Sequence, residues 1–161
     1  MTEEDKELLL QDLSSRLPYG VKIELTNSWG YHHENIAKKG DITIDTLRGF
    51  SGKYFTINHD NPLDWDWDDS EIEVKDIKPY LFPISSISEE QVEELRKRYV
   101  VSIIGDSITI VRHSTGYWDN DIECDSNDYI WLINWLYKNH FDVNDLIPKG
   151  LAKDATGLNI Y

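Results

Sequence analysis

The sequence predicts an α+β fold, with a mostly antiparallel sheet and about three helices packed on it. Segments that alternate apolar and polar residues, as strands with one solvated face do, occupy much of the first half of the chain. The predicted elements follow the order α, several β, α, β-β, α. This order favours antiparallel pairing of neighbouring strands, with helices and sheet in separate layers.

The length and composition favour one folded domain that spans residues 1–161. A chain of 161 residues can bury a core without the help of disulfides or metals. Its hydrophobic content of 40% argues against intrinsic disorder, although the charge is high. No internal repeat, low-complexity tract or linker divides the sequence. A single α+β domain is therefore the simplest expectation.

The chain is expected to begin with a helix and a strand. Thr2 can cap the helix, and Leu9 and Leu13 recur at helical spacing within it. Pro18 and Gly20 are expected to end it. The strand that follows covers residues 21–25. It alternates apolar and charged residues, which places one of its faces in water.

The next part of the chain is predicted to contain more strands. Two runs of strand formers are expected to pair as a hairpin, and a third strand follows a polar, acidic connection. These three strands are residues 41–47, 53–57 and 71–77. The stretch 27–40 fits either a loop or a strand edge followed by a turn.

A corner between a strand and a helix is predicted around two prolines. Pro79 and Pro83 impose an extended segment that lacks two amide donors. Ser88 stands three residues before Gln91, which is the spacing of a capping box at the start of a helix. The helix is expected to end near Arg98, and its buried side is expected to consist of Val92, Leu95 and Tyr99.

The second half is predicted to contain a hairpin and the longest helix. Two β-branched runs, 100–104 and 108–111, flank a turn that contains Gly105. Asp125 or Ser126 can cap a helix that continues to about Asn139. One side of this helix is expected to be lined by Ile130, Ile133, Leu136 and Tyr137.

The charge and cysteine content exclude several classes of function. Thirty acidic residues stand against 16 Lys and Arg, which gives a formal charge of −14. Such a surface repels phosphate backbones and anionic lipid, so direct binding of nucleic acid or membrane is not expected. Cys124 is the single cysteine, which excludes an intrachain disulfide and a multi-cysteine zinc site. Because no signal peptide or membrane span is visible, we expect a cytoplasmic location.

The most distinctive sequence is an acidic and aromatic run that starts at Asp64. Carboxylates at alternate positions, as in the first ligands of a calcium loop, make Asp64, Asp66 and Asp68 candidate metal ligands. The match is incomplete, because Asp69 replaces the turn glycine and Lys75 replaces the bidentate Glu.

The same run has two other interpretations. It can be an acidic loop whose tryptophans pack on the domain, or a surface on which exposed tryptophans ringed by carboxylates bind a partner, since tryptophan is enriched at binding hot spots. The candidate partner-binding residues are Trp65, Trp67, Asp64, Asp66, Asp68 and Asp69.

Other chemical candidates carry weaker patterns. His32 and His33 are sequence neighbours without the spacing of a zinc-binding helix. Cys124 would need His113 or His140 as a base to act as a nucleophile, and a lone cysteine is usually inert. No phosphate-binding loop, dinucleotide fingerprint or nucleophile elbow occurs, so no catalytic residue and no cofactor is predicted.

A second acidic cluster precedes the longest helix. Its members either cap that helix, where its dipole favours negative charge, or extend an acidic surface. They are Asp119, Asp121, Glu123, Asp125 and Asp128. An acidic surface formed by both clusters would suit a decoy that occupies a basic groove on a partner.

Three segments resemble a known protein family: DLSSRLPYGVK at 12–22, IKPYLFPISS at 77–86, and WLYKNHFD at 135–142 with KGLA at 149–152. The family consists of short uncharacterised proteins from gut Bacteroidetes and from the phages and prophages that they carry. Residues 27–69 and 100–125 differ from its usual members, and Pro148 stands where a helix former is expected. The resemblance implies a mobile-element accessory protein in a bacterial cytoplasm, and it carries no site residues.

These observations predict a non-catalytic, acidic protein-interaction protein that acts on an unidentified host or phage protein. The alternative is a metal-binding protein or an enzyme that uses the Asp-rich loop 60–71, with His32 and His33 as further groups. A third possibility is a subunit of a larger assembly, because the sequence leaves the oligomeric state open.

Overall fold

The structure is a computed structural model, and it describes residues 1–25, 44–51, 54–58, 72–112 and 124–161. Within these ranges the chain forms three α-helices and eight strands, which confirms the predicted α+β class. The helices are α1 (Glu3–Arg16), α2 (Glu89–Arg96) and α3 (Ser126–Lys138). The strands are β1 (Lys22–Leu25), β2 (Ile44–Ser51), β3 (Tyr54–Asn58), β4 (Ile72–Glu73), β5 (Ile77–Leu81), β6 (Tyr99–Ile104), β7 (Ser107–Arg112) and β8 (Lys153–Asp154).

The described strands form two sheets. The larger sheet has the order β4-β3-β2-β1-β5-β8, and the smaller one is the β6–β7 hairpin. Neighbouring strands are antiparallel except β5 and β8, so the mostly antiparallel prediction is confirmed. The hairpin predicted from 41–47 and 53–57 corresponds to β2 and β3, but β2 continues to Ser51. A β-bulge interrupts the pairing of β2 with β3 between Leu47 and Gly49.

The chain divides into two compact units. The first unit contains Met1–Leu81 and Asn144–Tyr161, and the second contains Phe82–Val143. Each unit has an apolar core of its own. The proline corner lies at the boundary, because the first unit ends at Leu81 at the end of β5. The expectation of one domain over residues 1–161 stays a prediction.

In the first unit, local chemistry sets both ends of α1 as predicted. Thr2 Oγ1 accepts a hydrogen bond from the Asp5 amide at 3.1 Å, and the Asp5 carboxylate accepts one from the Thr2 amide at 2.9 Å. This reciprocal pair is a capping box, which satisfies two amides at the helix start. After a single 3-10 turn, Gly20 adopts a φ of +67°, a conformation that suits glycine.

The buried face of α1 packs against strands of the larger sheet and the C-terminal segment. Leu9 and Leu13 are almost completely buried there. The core of the first unit consists of Leu9, Leu13, Val21, Ile23, Leu47, Ile77, Leu81, Leu146, Leu151 and Ala152. Leu13 and Leu9 are one helical turn apart, as the sequence pattern predicts.

The first unit also buries an ion pair. Arg16 Nε donates to Asp12 Oδ2 at 2.6 Å, Arg16 Nη2 donates to Asp12 Oδ1 at 3.0 Å, and both side chains are fully buried. Asn144 Nδ2 donates to the same Asp12 Oδ1 at 2.9 Å. The carboxylate therefore joins α1 to the segment that returns from the second unit.

A second polar network surrounds Tyr80 on β5. The buried Tyr80 hydroxyl donates to Glu24 Oε2 at 3.0 Å, and Tyr161 Oη donates to the Tyr80 carbonyl at 2.6 Å. Burial, together with the hydrogen bond to Glu24, raises the pKa of Tyr80 to about 12. The neutral phenol is thus the form that the folded chain favours.

In the second unit, the helix after the prolines begins where the sequence predicts. Ser88 and Gln91 exchange hydrogen bonds in a capping box. The helix ends at Arg96, earlier than the predicted end near Arg98, because Tyr99 already belongs to β6 and pairs with Arg112. The three residues expected to be buried, Val92, Leu95 and Tyr99, are buried.

The core of the second unit lies between the β6–β7 hairpin and α3. The Tyr99 ring lies 5.5 Å from the Trp131 ring, and Trp135 stacks on Phe141 at 5.9 Å. Asn139 is the C-cap of α3, and His140 follows with a φ of +60°. The buried residues of this core are Ile84, Leu95, Tyr99, Ile110, Leu132, Trp135, Leu136 and Phe141.

The buried ion pair predicts a large loss of stability on substitution. Asp12→Asn removes the carboxylate charge that faces the Arg16 guanidinium, so the free energy of unfolding should fall by about 3 to 5 kcal/mol. Urea unfolding measures it. Glu3→Gln, which breaks the exposed pair with Lys6, is the control and should change it far less. An Asp12→Asn protein as stable as Glu3→Gln would contradict the role assigned to this pair.

The Tyr80 environment predicts a loss of stability at high pH. Because the folded pKa of about 12 exceeds the usual value of 10, the unfolded chain loses this proton first as the pH rises. The stabilisation is complete below pH 10 and is lost as the pH rises through about 12. Across this pH range the free energy of unfolding should therefore fall less in the Tyr80→Phe protein than in the wild type. The difference should be about 1 to 2 kcal/mol, after allowance for solvent screening.

Urea unfolding at several pH values between 9 and 12 measures this difference. Tyr129→Phe is the control, because Tyr129 is exposed on α3 and should leave the pH dependence unchanged. An equal pH dependence in the wild-type and Tyr80→Phe proteins would show that the Tyr80 phenol does not contribute.

Candidate functional site

Most of the sequence-predicted candidates lie outside the described residues. This applies to the acidic and aromatic run Asp64, Trp65, Asp66, Trp67, Asp68 and Asp69, and to His32, His33, His113, Asp119, Asp121 and Glu123. Their assignment as metal ligands or partner-binding residues stays a prediction. Within the described ranges, no group of three or more His, Cys, Asp or Glu side chains is placed to hold a metal ion.

The two described members of the second acidic cluster cap α3. Asp125 Oδ1 accepts hydrogen bonds from the amides of Asn127 at 2.8 Å and Asp128 at 3.1 Å, and Asp128 Oδ2 accepts one from the Asp125 amide at 3.0 Å. Asp128 is buried, and its other oxygen accepts a hydrogen bond from Tyr99 Oη at 3.0 Å. Burial and this hydrogen bond raise the pKa of Tyr99. The helix-capping interpretation is therefore confirmed for Asp125 and Asp128.

Cys124 has a packing role in the second unit. It is half-buried against the core, and its Sγ donates a weak hydrogen bond to the Ile110 carbonyl at 3.5 Å. Among the described residues, the thiol has no histidine within hydrogen-bonding distance. Its pairing with His113 as a nucleophile stays a prediction, because His113 lies outside the described residues.

The feature of the described chain that demands a functional explanation is one side of α3. Tyr129, Ile130 and Ile133 are 54%, 59% and 40% exposed. Residues three and four apart lie on the same side of a helix, so these side chains form one continuous apolar strip. We call these three residues the α3 outer face. Half-buried Tyr137 follows on the same side.

The sequence predicts one side of α3 lined by Ile130, Ile133, Leu136 and Tyr137, and these residues differ in burial, because Leu136 is buried whereas Ile130 and Ile133 are exposed. The buried residues of the helix are Asp128, Leu132, Trp135 and Leu136. The helix has apolar residues around its whole circumference, so spacing alone does not select the buried side. The contacts of Tyr99 with Asp128 and Trp131 select it. The sequence signal for this surface is the presence of apolar residues on both sides of one helix, since a helix at the surface packs only one side on the core.

A second exposed apolar surface lies on the hairpin. Val100 and Ile104 on β6 are 53% and 78% exposed, and they alternate with residues that face the core. The hairpin contacts α3 through its inner side, by way of Tyr99 and Ile110. Val100 and Ile104 therefore face away from α3. Ile104 adjoins the turn at Gly105, where a single exposed apolar side chain is common.

The α3 outer face predicts a contrast between two sides of one helix. Ile130→Ser and Ile133→Ser should each change the free energy of unfolding by less than about 0.5 kcal/mol, because neither side chain is part of the core. Leu132→Ala on the buried side should lower it by about 2 to 5 kcal/mol. Urea unfolding measures all three. A loss for the isoleucine variants as large as that for Leu132→Ala would mean that the strip belongs to the core.

The comparisons with known proteins give no relatives. No family model matches the chain, and no curated protein and no solved structure matches it. In the part of the chain that the structure describes, no helix has the length and apolar character needed to cross a bilayer. The function is therefore inferred from the residues and their geometry.

Proposed function

We propose that this chain is a non-catalytic, acidic protein-interaction protein, and that the α3 outer face binds a positively charged partner protein. The observation that carries the proposal is the exposure of Tyr129, Ile130 and Ile133 on a helix whose opposite side is firmly packed. Full burial of a side chain of this size stabilises a complex by about 1.5 to 3 kcal/mol relative to exposure in water. A helix face of this kind suits docking in a groove of the partner.

The composition of the strip supports a protein partner. Tyrosine offers a large apolar ring with a hydroxyl at its tip, and is therefore enriched at binding hot spots. The helix that presents the strip is held by a capping box at Asp125 and by the hydrogen bond between Asp128 and Tyr99. Because its orientation is already fixed, binding costs little conformational entropy.

The charge of the chain supports a basic partner. The whole chain carries −14, and residues 82–143, which contain α3, hold eleven Asp and Glu against five Lys and Arg. An excess of negative charge speeds the encounter with a positively charged protein and disfavours acidic competitors. Apolar burial would then supply most of the affinity, and charge would supply selectivity.

The described chemistry also supports a non-catalytic role. Among the described residues, Asp125 and Asp128 cap α3, and Cys124 packs against the core of the second unit. The resemblance to proteins of gut Bacteroidetes and their phages suggests the context. In this proposal the protein acts in a bacterial cytoplasm, and its partner is a host or phage protein.

The test is capture of the partner by the tagged chain from lysate of the native host, followed by titration with the purified partner. The double variant Ile130→Ser/Ile133→Ser should weaken binding by at least about tenfold, which corresponds to about 1.4 kcal/mol. Ile104→Ser is the control, because it removes an isoleucine that is even more exposed, on the hairpin. It should leave binding unchanged. Binding should also weaken at high salt.

A different pattern of losses would contradict the proposal. If Trp65→Ala/Trp67→Ala abolishes binding and the α3 variant does not, the acidic and aromatic run is the interface. If Ile104→Ser weakens binding as strongly as the α3 variant, the loss is not specific to α3. A rise in melting temperature with calcium, magnesium, manganese or zinc would favour the alternative of a metal site in the loop 60–71.

A further inference from the structure

The segment from Ala155 to Tyr161 in the first unit is fastened at both ends and exposed between them. At one end, Ala155 is fully buried, and its amide donates to the Leu81 carbonyl at 2.8 Å. Residues 156–159 are exposed. At the other end, the hydroxyl of Tyr161 contacts the larger sheet. We propose that residues 156–161 form a strap that opens and closes while the rest of the first unit stays folded, with the Tyr161 hydroxyl as its latch.

The latch lies where the pairing of β1 with β5 stops. The pair at this end of the ladder is Ile23 with Pro79, and the next position of the register would bring Lys22 opposite Tyr80. There, the Lys22 amide donates to Tyr161 Oη at 3.1 Å, and Tyr161 Oη donates to the Tyr80 carbonyl at 2.6 Å. The hydroxyl therefore stands between a donor and an acceptor of two neighbouring strands and satisfies both.

The phenol at this position keeps its proton at neutral pH. Burial raises the pKa of Tyr161 to about 12, although the Lys22 amide and the charge of Arg16 act in the opposite direction. Tyr161 as a whole is 44% exposed, so the hydroxyl is withdrawn from water while other parts of the residue lie at the surface. A neutral phenol both donates and accepts a hydrogen bond, and a phenylalanine ring does neither.

The middle of the strap is held mainly by local bonds. The Thr156 amide donates to Asp154 Oδ1 at 2.8 Å, and the Leu158 amide donates to the Ala155 carbonyl at 3.0 Å. Leu158 is 46% exposed, and Ile160 is half-buried. Segments with exposed side chains and local hydrogen bonds open at a low cost in free energy. The two bonds of Tyr161 are therefore expected to set how often the strap opens.

Opening of the strap should stop at Ala155. The chain is held there by the bond from the Ala155 amide to β5, by the pairing of β8 with β5, and by Ala152 in the core. An open strap thus leaves the core and the strand order intact, and it transfers the Lys22 amide and the Tyr80 carbonyl to water. The proposal is independent of the α3 outer face, which belongs to the second unit.

Hydrogen exchange of the wild-type full chain at increasing urea concentrations tests whether the strap opens by itself. A local opening exposes little surface, so exchange of the Lys22 amide should depend only weakly on urea. The Leu13 amide lies in the buried part of α1, and its exchange should show the full urea dependence of unfolding. NMR spectroscopy resolves the two amides.

Tyr161→Phe tests the latch. The substitution removes the hydroxyl and keeps the ring, so exchange of the Lys22 amide should become faster by about tenfold or more, which corresponds to about 1.4 kcal/mol. Its weak dependence on urea should remain. Tyr129→Phe is the matched control, because it makes the same substitution in the second unit, and it should leave the exchange of Lys22 unchanged.

Limited proteolysis tests whether the strap itself opens. Chymotrypsin needs an open segment to cleave after Leu158, so the rate of this cleavage should follow the population of the open strap. In Tyr161→Phe the rate should rise by about tenfold. Tyr129→Phe should be cleaved there at the wild-type rate. Mass spectrometry distinguishes this cleavage from cleavage at other residues.

Three results would overturn the proposal. Equal urea dependence of Lys22 and Leu13 exchange in the wild type would show that the strap opens only when the whole unit unfolds, and this result needs no variant. Exchange of Lys22 in Tyr161→Phe within about twofold of the wild-type rate would show that the hydroxyl is not the latch. Faster exchange of Lys22 without faster cleavage after Leu158 would show that the hydroxyl shields one amide but does not hold the strap.

Discussion

The first unit depends on the buried carboxylate of Asp12. A buried charge is tolerated only when it is paired and its remaining oxygens accept hydrogen bonds. Arg16 supplies the counter-charge from the next turn of α1, and Asn144 supplies a further donor from a segment far away in the sequence. One side chain therefore fixes α1 against the returning chain.

A comparable constraint determines the exposed side of α3. One oxygen of Asp128 completes the capping box within α3, and the other accepts the hydrogen bond of Tyr99 from β6, so rotation of the helix about its axis would break the bond to Tyr99. Trp131 adds a ring contact with Tyr99 on the same side. With this orientation fixed, Ile130 and Ile133 face water although the sequence would allow them to be buried. The apolar strip is thus a consequence of a polar contact on the opposite side of the helix.

The sequence predicts those parts of the structure that depend on near neighbours. Thr2 and Ser88 form capping boxes with residues three positions on, and the β6–β7 hairpin follows from β-branched runs around a turn. Features set by distant residues could not be predicted. These are the parallel pairing of β5 with β8, the bond from Asn144 to Asp12, and the choice of the buried side of α3.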